Sequence, residues 1–101
     1  MACETGNFEG MLAAAAGDDP ALFHELRAVF IDSVLRQVDL LRRSRCDGNW
    51  QVAALRLEGL AASFDAEPLR ILAGQALEGA PGDPAIIRRL LASLDDLSRH
   101  A

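Results

Sequence analysis

The chain has 101 residues, half of them hydrophobic, and a formal net charge of −5. This length fits one small domain with a modest core, so residues 1–101 are predicted to form a single domain. The negative charge makes nucleic acid a poor partner, because DNA binding relies on basic residues that neutralise phosphates. The longest uncharged apolar run, residues 11–16, is too short to cross a bilayer, and no secretory signal pattern opens the chain. We therefore expect a cytoplasmic protein without a membrane or nucleic-acid partner.

The two cysteines, Cys3 and Cys46, do not have the spacing of a metal site. A single disulfide between them stays open on sequence grounds. Because no secretory signal is present, two reduced thiols are the favoured interpretation.

The first elements are predicted from apolar spacing and from helix start signals. Residues 1–6 are expected to form a loose tail, and residues 7–16 a short helix that ends at Gly17. Asp19 followed by Pro20 predicts a helix start, with Asp19 as the N-cap and Pro20 in the first turn. This second helix is expected to run to about Arg45. The apolar residues predicted to face a core from these two helices are Phe8, Met11, Leu12, Ala15, Phe23, Leu26, Phe30, Val34, Val38 and Leu41.

A turn at residues 47–49 is predicted to precede a third helix, from about Asn49 to Phe64. Within this helix, Ala53, Leu57, Leu60 and Phe64, with Ala61 beside them, fall on one side at 100° per residue. Such spacing is typical of the buried stripe of a helix in a bundle. Trp50 is interpreted as a core residue at the end of the bundle.

Two further helices complete the predicted fold. Pro68 is tolerated only in the first turn of a fourth helix, which stops near residues 79–82. Asp83 and Pro84 repeat the earlier start signal, and the last helix is expected to reach about Ser98. The predicted core residues of the two helices are Leu69, Leu72, Ala73, Ala76, Ile87, Leu90, Leu91, Leu94 and Leu97. Short connections favour antiparallel neighbours, so we predict an all-α, up-down antiparallel four-helix bundle with a short additional N-terminal helix.

Leu55 departs from the core pattern of the third helix. It lies two positions before Leu57, about 200° away, and therefore points outward with Glu58, Gly59 and Ala62. Glycine within a helix costs about 1 kcal/mol relative to alanine, so its presence calls for a reason. Gly59 either permits close helix packing inside the protein or leaves room on the outer face, and its offset from the core stripe favours the outer face.

This helix resembles the signature of histidine-phosphotransfer domains, the small helical bundles that relay phosphoryl groups between receiver domains in two-component signalling. The family pattern is His-x-Leu-Lys-Gly, then small residues, then Leu/Phe-Gly-Ala. The corresponding run here is Leu55-Arg56-Leu57-Glu58-Gly59-Leu60-Ala61-Ala62-Ser63-Phe64-Asp65-Ala66. The resemblance implies the bundle fold, with Leu55 in place of the phosphoaccepting histidine, Glu58 in place of lysine and Asp65 in place of the later glycine.

The resemblance also implies how the function has changed. Leucine has no nucleophilic atom, and Glu58 places negative charge where the family has positive charge, so no phosphoryl transfer is expected at position 55. His24 and His100 lack the surrounding glycine and lysine of a phosphoacceptor. We therefore expect a non-enzymatic protein without cofactor or metal, a pseudo-phosphotransfer monomer that binds a response-regulator receiver domain or a histidine kinase in a bacterial-type phosphorelay. The residues expected to bind this partner are Leu55, Arg56, Glu58, Gly59 and Ala62, with Arg36 or its neighbours at the rim.

Two alternatives stay open. The first is a self-associating structural or scaffold bundle in which the surface around Leu55 packs against a second copy. The second is an active phosphotransferase that uses an unexpected residue.

Overall fold

The computed structural model describes residues 7–100, with side chains through Arg99. The predicted tail, residues 1–6, and with it Cys3, lies outside the described residues, as does the side chain of His100. Within residues 7–100 the backbone forms helices and no extended strand, which confirms the all-α prediction. The helices are α1 (Phe8–Ala16), α2 (Pro20–Arg43), α3 (Asp47–Ser63), α4 (Glu67–Glu78) and α5 (Pro84–His100).

The start of α2 matches its sequence signal. The Asp19 carboxylate accepts hydrogen bonds from the backbone N–H groups of Ala21, at 3.0 Å, and Leu22, at 3.3 Å, while Pro20 occupies the first turn. These bonds satisfy two of the N–H groups that a helix start leaves unpaired. The helix ends at Arg43, slightly before the predicted Arg45, because Ser44 adopts an extended backbone.

The start of α3 differs from the prediction. Residues 47–49 form the first helical turn rather than a separate turn, and Cys46 is the N-cap, with its Sγ accepting from the N–H of Asn49 at 3.5 Å. Asp47 then lies in the first turn of the helix, where its negative charge is favoured by the helix dipole. The interpretation of Asp47 as a turn residue was therefore wrong.

The four longer helices pack as a ring. Helix α2 contacts α3 and α5, and α4 contacts the same two helices, so α3 and α5 lie across the ring from each other. Helix α1 packs against α2. The buried core inside this arrangement includes Phe8, Leu12, Phe30, Val34, Val38, Leu41, Trp50, Ala53, Leu57, Leu69, Ala73, Ile86, Leu90, Leu94 and Leu97.

Most predicted core positions are buried, with corrections at helix edges. In α5 the buried face includes Ile86, whereas Leu91, predicted to be in the core, is 39% exposed. Leu91 lies 100° around the helix from the buried Leu90, so its side chain is at the edge of the buried face of α5, on the side of α2. Met11 and Ala15 of α1 are also exposed, because this short helix buries only its Phe8, Leu12 and Ala16 side.

Trp50 joins α3 to α4. Its side chain is 1% exposed, and its indole N–H donates a hydrogen bond to the backbone oxygen of Ala76 at 2.8 Å. This oxygen belongs to the last turn of α4, where carbonyl groups lack partners within the helix. The interpretation of Trp50 as a core residue is confirmed.

Asp65 occupies a position with a special backbone conformation between α3 and α4. Its φ of 53° lies in the left-handed region, which glycine adopts freely and aspartate tolerates better than most residues. Its backbone oxygen and its carboxylate both accept from the N–H of Asn7, at 3.2 and 3.0 Å. Asp65 thereby holds the start of α1 against the turn, and α4 begins at Glu67.

None of the helices within residues 7–100 has the length and apolar character needed to cross a lipid bilayer.

Candidate docking surface on α3

The structure brings Leu55, Gly59 and Ala62 together on the outer face of α3. All three are exposed, and the side chain of Leu55 is 56% exposed, although leucine is among the residues most often buried. Their spacing of four and three residues aligns them along one helix face. We call these three residues the Leu55 strip. Arg56 and Glu58, the other predicted site residues, lie on its two flanks.

Gly59 has no packing role within the described part of the chain. A Cβ atom built on it meets nothing within 4 Å, and its φ is not positive. A close helix contact inside the protein therefore does not explain the glycine, so that interpretation was wrong for residues 7–100. The missing side chain leaves a depression beside Leu55 that is open to the outside.

The open environment of Gly59 leads to a stability prediction. Replacing Gly59 with alanine is expected to stabilise the fold by about 1 kcal/mol, because alanine favours the helix and meets no neighbour. If the depression serves a close approach of a partner, the same substitution weakens binding. Gly48→Ala is the matched control in the same helix, since a Cβ there also meets nothing within 4 Å. Denaturant unfolding and partner affinity, measured on both variants, separate the two effects. A less stable Gly59→Ala protein contradicts the prediction.

Glu58 turns toward α4 rather than straight out from the strip. Its Oε2 lies 3.6 Å from the position of a Cβ on Gly74, so the glycine leaves room for the carboxylate. The Arg70 guanidinium pairs with Glu67, which raises the pKa of Arg70; the charges of Glu58 and Asp65 raise it further. The same pairing lowers the pKa of the Glu67 carboxyl. The negative charge of Glu58 is therefore close enough to interact with the positive charge of Arg70.

Arg56 borders a groove on the opposite flank, between α3 and the end of α2. The groove has a volume of about 360 Å³. Its lining residues are Leu40, Arg43, Ser44, Asn49, Val52, Ala53 and Arg56. Arg56 makes no hydrogen bond or ion pair within the described part of the chain. The guanidinium of Arg56 is therefore available to a partner.

Two apolar residues of this groove were missed in the sequence. Val52 is 46% exposed and precedes Leu55 by three residues, so it extends the Leu55 strip along α3. Leu40 adds an exposed apolar side chain from α2. The spacing of Val52, Leu55 and Gly59 along one face was the available signal for Val52. Leu40 required knowledge of how α2 and α3 pack.

The arginines near the end of α2 are largely engaged with neighbouring acids. Arg36, predicted at the rim, forms an exposed ion pair with Asp32 at 2.7 Å. Arg42 and Arg43 both contact the Asp39 carboxylate, at 2.6 and 2.9 Å. The hydrogen bond from Arg42 is the main cause of the lowered pKa of Asp39. Exposed pairs of this kind add little stability, so they chiefly shape the charge of the surface.

The other candidate reactive side chains lie away from the strip. His24 is exposed on α2, where its ring meets Phe23 edge-on at a centroid distance of 5.8 Å. Cys46 is a free, exposed cysteine at the start of α3. Within residues 7–100 no three histidine, cysteine, aspartate or glutamate side chains converge in a way that could hold a metal ion.

Comparison of the chain with models of known protein families, with curated proteins and with solved structures finds no match.

Proposed function

We propose that this protein is a non-catalytic histidine-phosphotransfer-like domain that binds a receiver domain or a histidine kinase and modulates it without accepting phosphate. The observation that carries the proposal is the Leu55 strip, an exposed leucine four residues before an exposed, unpacked glycine. In the family pattern, these two positions are the phosphoacceptor and the glycine that lets a receiver approach.

The proposal includes an up-down antiparallel four-helix bundle with α1 as the additional helix. Two contacts support these directions. The Arg27 guanidinium, early in α2, donates to the Ser98 carbonyl late in α5. Trp50, in the first turn of α3, donates to Ala76 near the end of α4. Each contact joins the start of one helix to the end of its neighbour, as antiparallel packing requires.

The backbone at Asp65 also supports the family frame. The pattern has glycine at this position, and the left-handed φ of Asp65 is a conformation that glycine adopts without strain. The backbone conformation at position 65 therefore fits the glycine of the family pattern, although the residue here is aspartate. The aspartate contributes a hydrogen bond to Asn7 that glycine could not make from a side chain.

The absence of catalysis follows from the chemistry of the strip. A phosphoryl acceptor needs a nucleophilic atom presented to solvent, and neither Leu55, Gly59 nor Ala62 has one. What the strip offers instead is exposed apolar area with a free arginine on one flank. Such a surface suits binding, and the cytoplasm, where two-component signalling proteins meet, is the proposed compartment.

Leu55→Arg is expected to weaken binding to a cognate receiver or kinase by roughly tenfold to a hundredfold, because burying a leucine side chain contributes about 1.5–3 kcal/mol. The fold should be unaffected, since the substituted side chain is mostly exposed. Val29→Arg is the matched control, an aliphatic residue of α2 that is 59% exposed and lies outside the Leu55 strip. Calorimetric titration of purified receivers with the three proteins measures the effect. Equal affinities for wild type and Leu55→Arg contradict the proposal.

Self-association through the same strip is the competing function. Leu55 is an apolar residue that is 56% exposed and that a second copy would cover, and Arg56 and Glu58 on its two flanks carry opposite charges that would pair across a two-fold axis. Sedimentation across a concentration series distinguishes the two. The signalling proposal expects a monomer at every concentration, whereas the scaffold function expects a dimer that Leu55→Arg dissociates.

A further inference from the structure

We propose that the groove between α2 and α5 is a second docking surface, and that it takes an acidic amphipathic helix of a protein partner. Helix α5 lies across the ring from α3, so this groove is separate from the Leu55 strip and uses other residues. The inference does not depend on the proposed phosphorelay function. With two separate surfaces, one molecule could hold two partners at once.

The apolar part of the groove lies between two leucines. Leu35 of α2 and Leu91 of α5 line one cavity of about 260 Å³, together with Val38. Both leucines are substantially exposed, and Leu91 is the residue that the spacing of α5 had assigned to the core. A single exposed leucine is ordinary, but two that border one cavity from different helices form a site where an apolar side chain can be enclosed.

The basic part of the groove lies next to its apolar part. Arg42 lines this cavity and also the next one, of about 320 Å³, which Arg88 borders as well. Arg88 makes no ion pair or hydrogen bond within residues 7–99. Among residues 7–99, Asp39 is the only acidic residue that lines either cavity, and Arg42 and Arg43 already share its carboxylate. The two cavities are therefore lined by two arginines and one carboxylate, an excess of one positive charge on a chain whose net charge is −5, and this excess favours an acidic occupant.

A groove between two packed helices suits a helical occupant. Leu35 and Arg42 are seven residues apart, on the same face of α2 and about 10 Å apart along its axis. A partner helix laid in the groove between two helices would meet them with positions that repeat every seven residues. The expected occupant carries a leucine-sized side chain and, two turns along, a carboxylate that pairs with Arg88.

The probe is a pool of 16-residue helical peptides with identical apolar positions, half of them carrying glutamate and half lysine at the flanking positions. The immobilised full chain is panned against this pool, and the enrichment of acidic over basic peptides is counted. Wild type is expected to enrich the acidic peptides about tenfold, a modest effect for a charge-selected contact. Arg88→Glu and Leu91→Ser are each expected to abolish the enrichment, while Val29→Ser, at an exposed residue of α2 outside both surfaces, leaves it unchanged.

The two groove substitutions are chosen so that a loss of binding does not come from unfolding. Arg88 and Leu91 are exposed, so both substitutions should leave the helical circular dichroism and the melting temperature close to those of wild type. The proposal is overturned by equal enrichment of both peptide classes, by enrichment that survives Arg88→Glu and Leu91→Ser, or by enrichment that Val29→Ser removes. Loss of receiver binding in Leu55→Arg bears only on the Leu55 strip, so the two surfaces succeed or fail independently.

Discussion

The double substitution Leu55→His with Glu58→Lys is expected to produce a chain that accepts a phosphoryl group from receiver domains. The new imidazole would stand on the exposed face of α3, at a position where the present side chain is 56% exposed. Gly59 next to it already leaves room for the donor. Two of the three departures from the family pattern are the nucleophile and the positive neighbour, and the third, Asp65, has a backbone conformation that glycine also adopts, so restoring the first two is expected to give partial phosphotransfer.

The single substitution Leu55→His should transfer little, because Glu58 would repel the incoming phosphoryl group. Incubation with phosphorylated receivers, followed by intact-mass measurement, reads the outcome as a species about 80 Da heavier, one phosphoryl unit. Val29→His provides a control histidine at an exposed site of α2 outside the strip. A double variant that binds receivers yet gains no mass contradicts the prediction, and would mean that the docking geometry has diverged together with the acceptor.

Trp50→Ala is expected to cause the largest loss of stability of any single substitution considered. Removing a fully buried aromatic side chain costs about 3–5 kcal/mol through lost burial and the cavity left behind. Small domains are stable by only about 5–15 kcal/mol, so this loss could consume most of the total. Trp50→Phe should cost less, because it keeps most of the apolar volume but leaves the Ala76 carbonyl without its 2.8 Å hydrogen bond.

Urea unfolding followed by circular dichroism measures both losses, since the chain has no other tryptophan to report by fluorescence. Val52→Ala is the matched control, as Val52 lies two residues away in α3 and is 46% exposed. It should change the free energy of unfolding by about 0.5 kcal/mol or less. A Trp50→Ala protein as stable as the Val52→Ala control would contradict the role of Trp50 in joining α3 to α4.

The helices and most of the core could be predicted from the sequence because the signals are local. Asp19 and Pro20 define a helix start through contacts within three residues, and the structure has the N-cap bonds they predict. The beginning of α3 was misplaced because aspartate, glycine and asparagine suit both a turn and the first turn of a helix. In the structure Cys46, which is not among the preferred N-cap residues, occupies the N-cap, so the sequence offered no familiar start signal there.

The surface features depended on packing and were only partly predictable. The outward direction of Leu55 followed from helical periodicity, and the structure bears it out. The neighbours of the strip did not follow, because the exposure of Leu40 and the turning of Glu58 toward Gly74 depend on which helices lie beside α3. Leu91 shows the same limit: spacing within α5 cannot tell a buried position from one at the edge of a groove.

The central claim is that the Leu55 strip binds a two-component signalling protein. It is tested most directly by affinity capture from a lysate of the source organism, with wild type and Leu55→Arg run side by side and the retained proteins identified by mass spectrometry. The account predicts a receiver domain or histidine kinase that wild type retains and Leu55→Arg loses. Recovery of the same proteins by both, or of nothing but further copies of the chain itself, would contradict it.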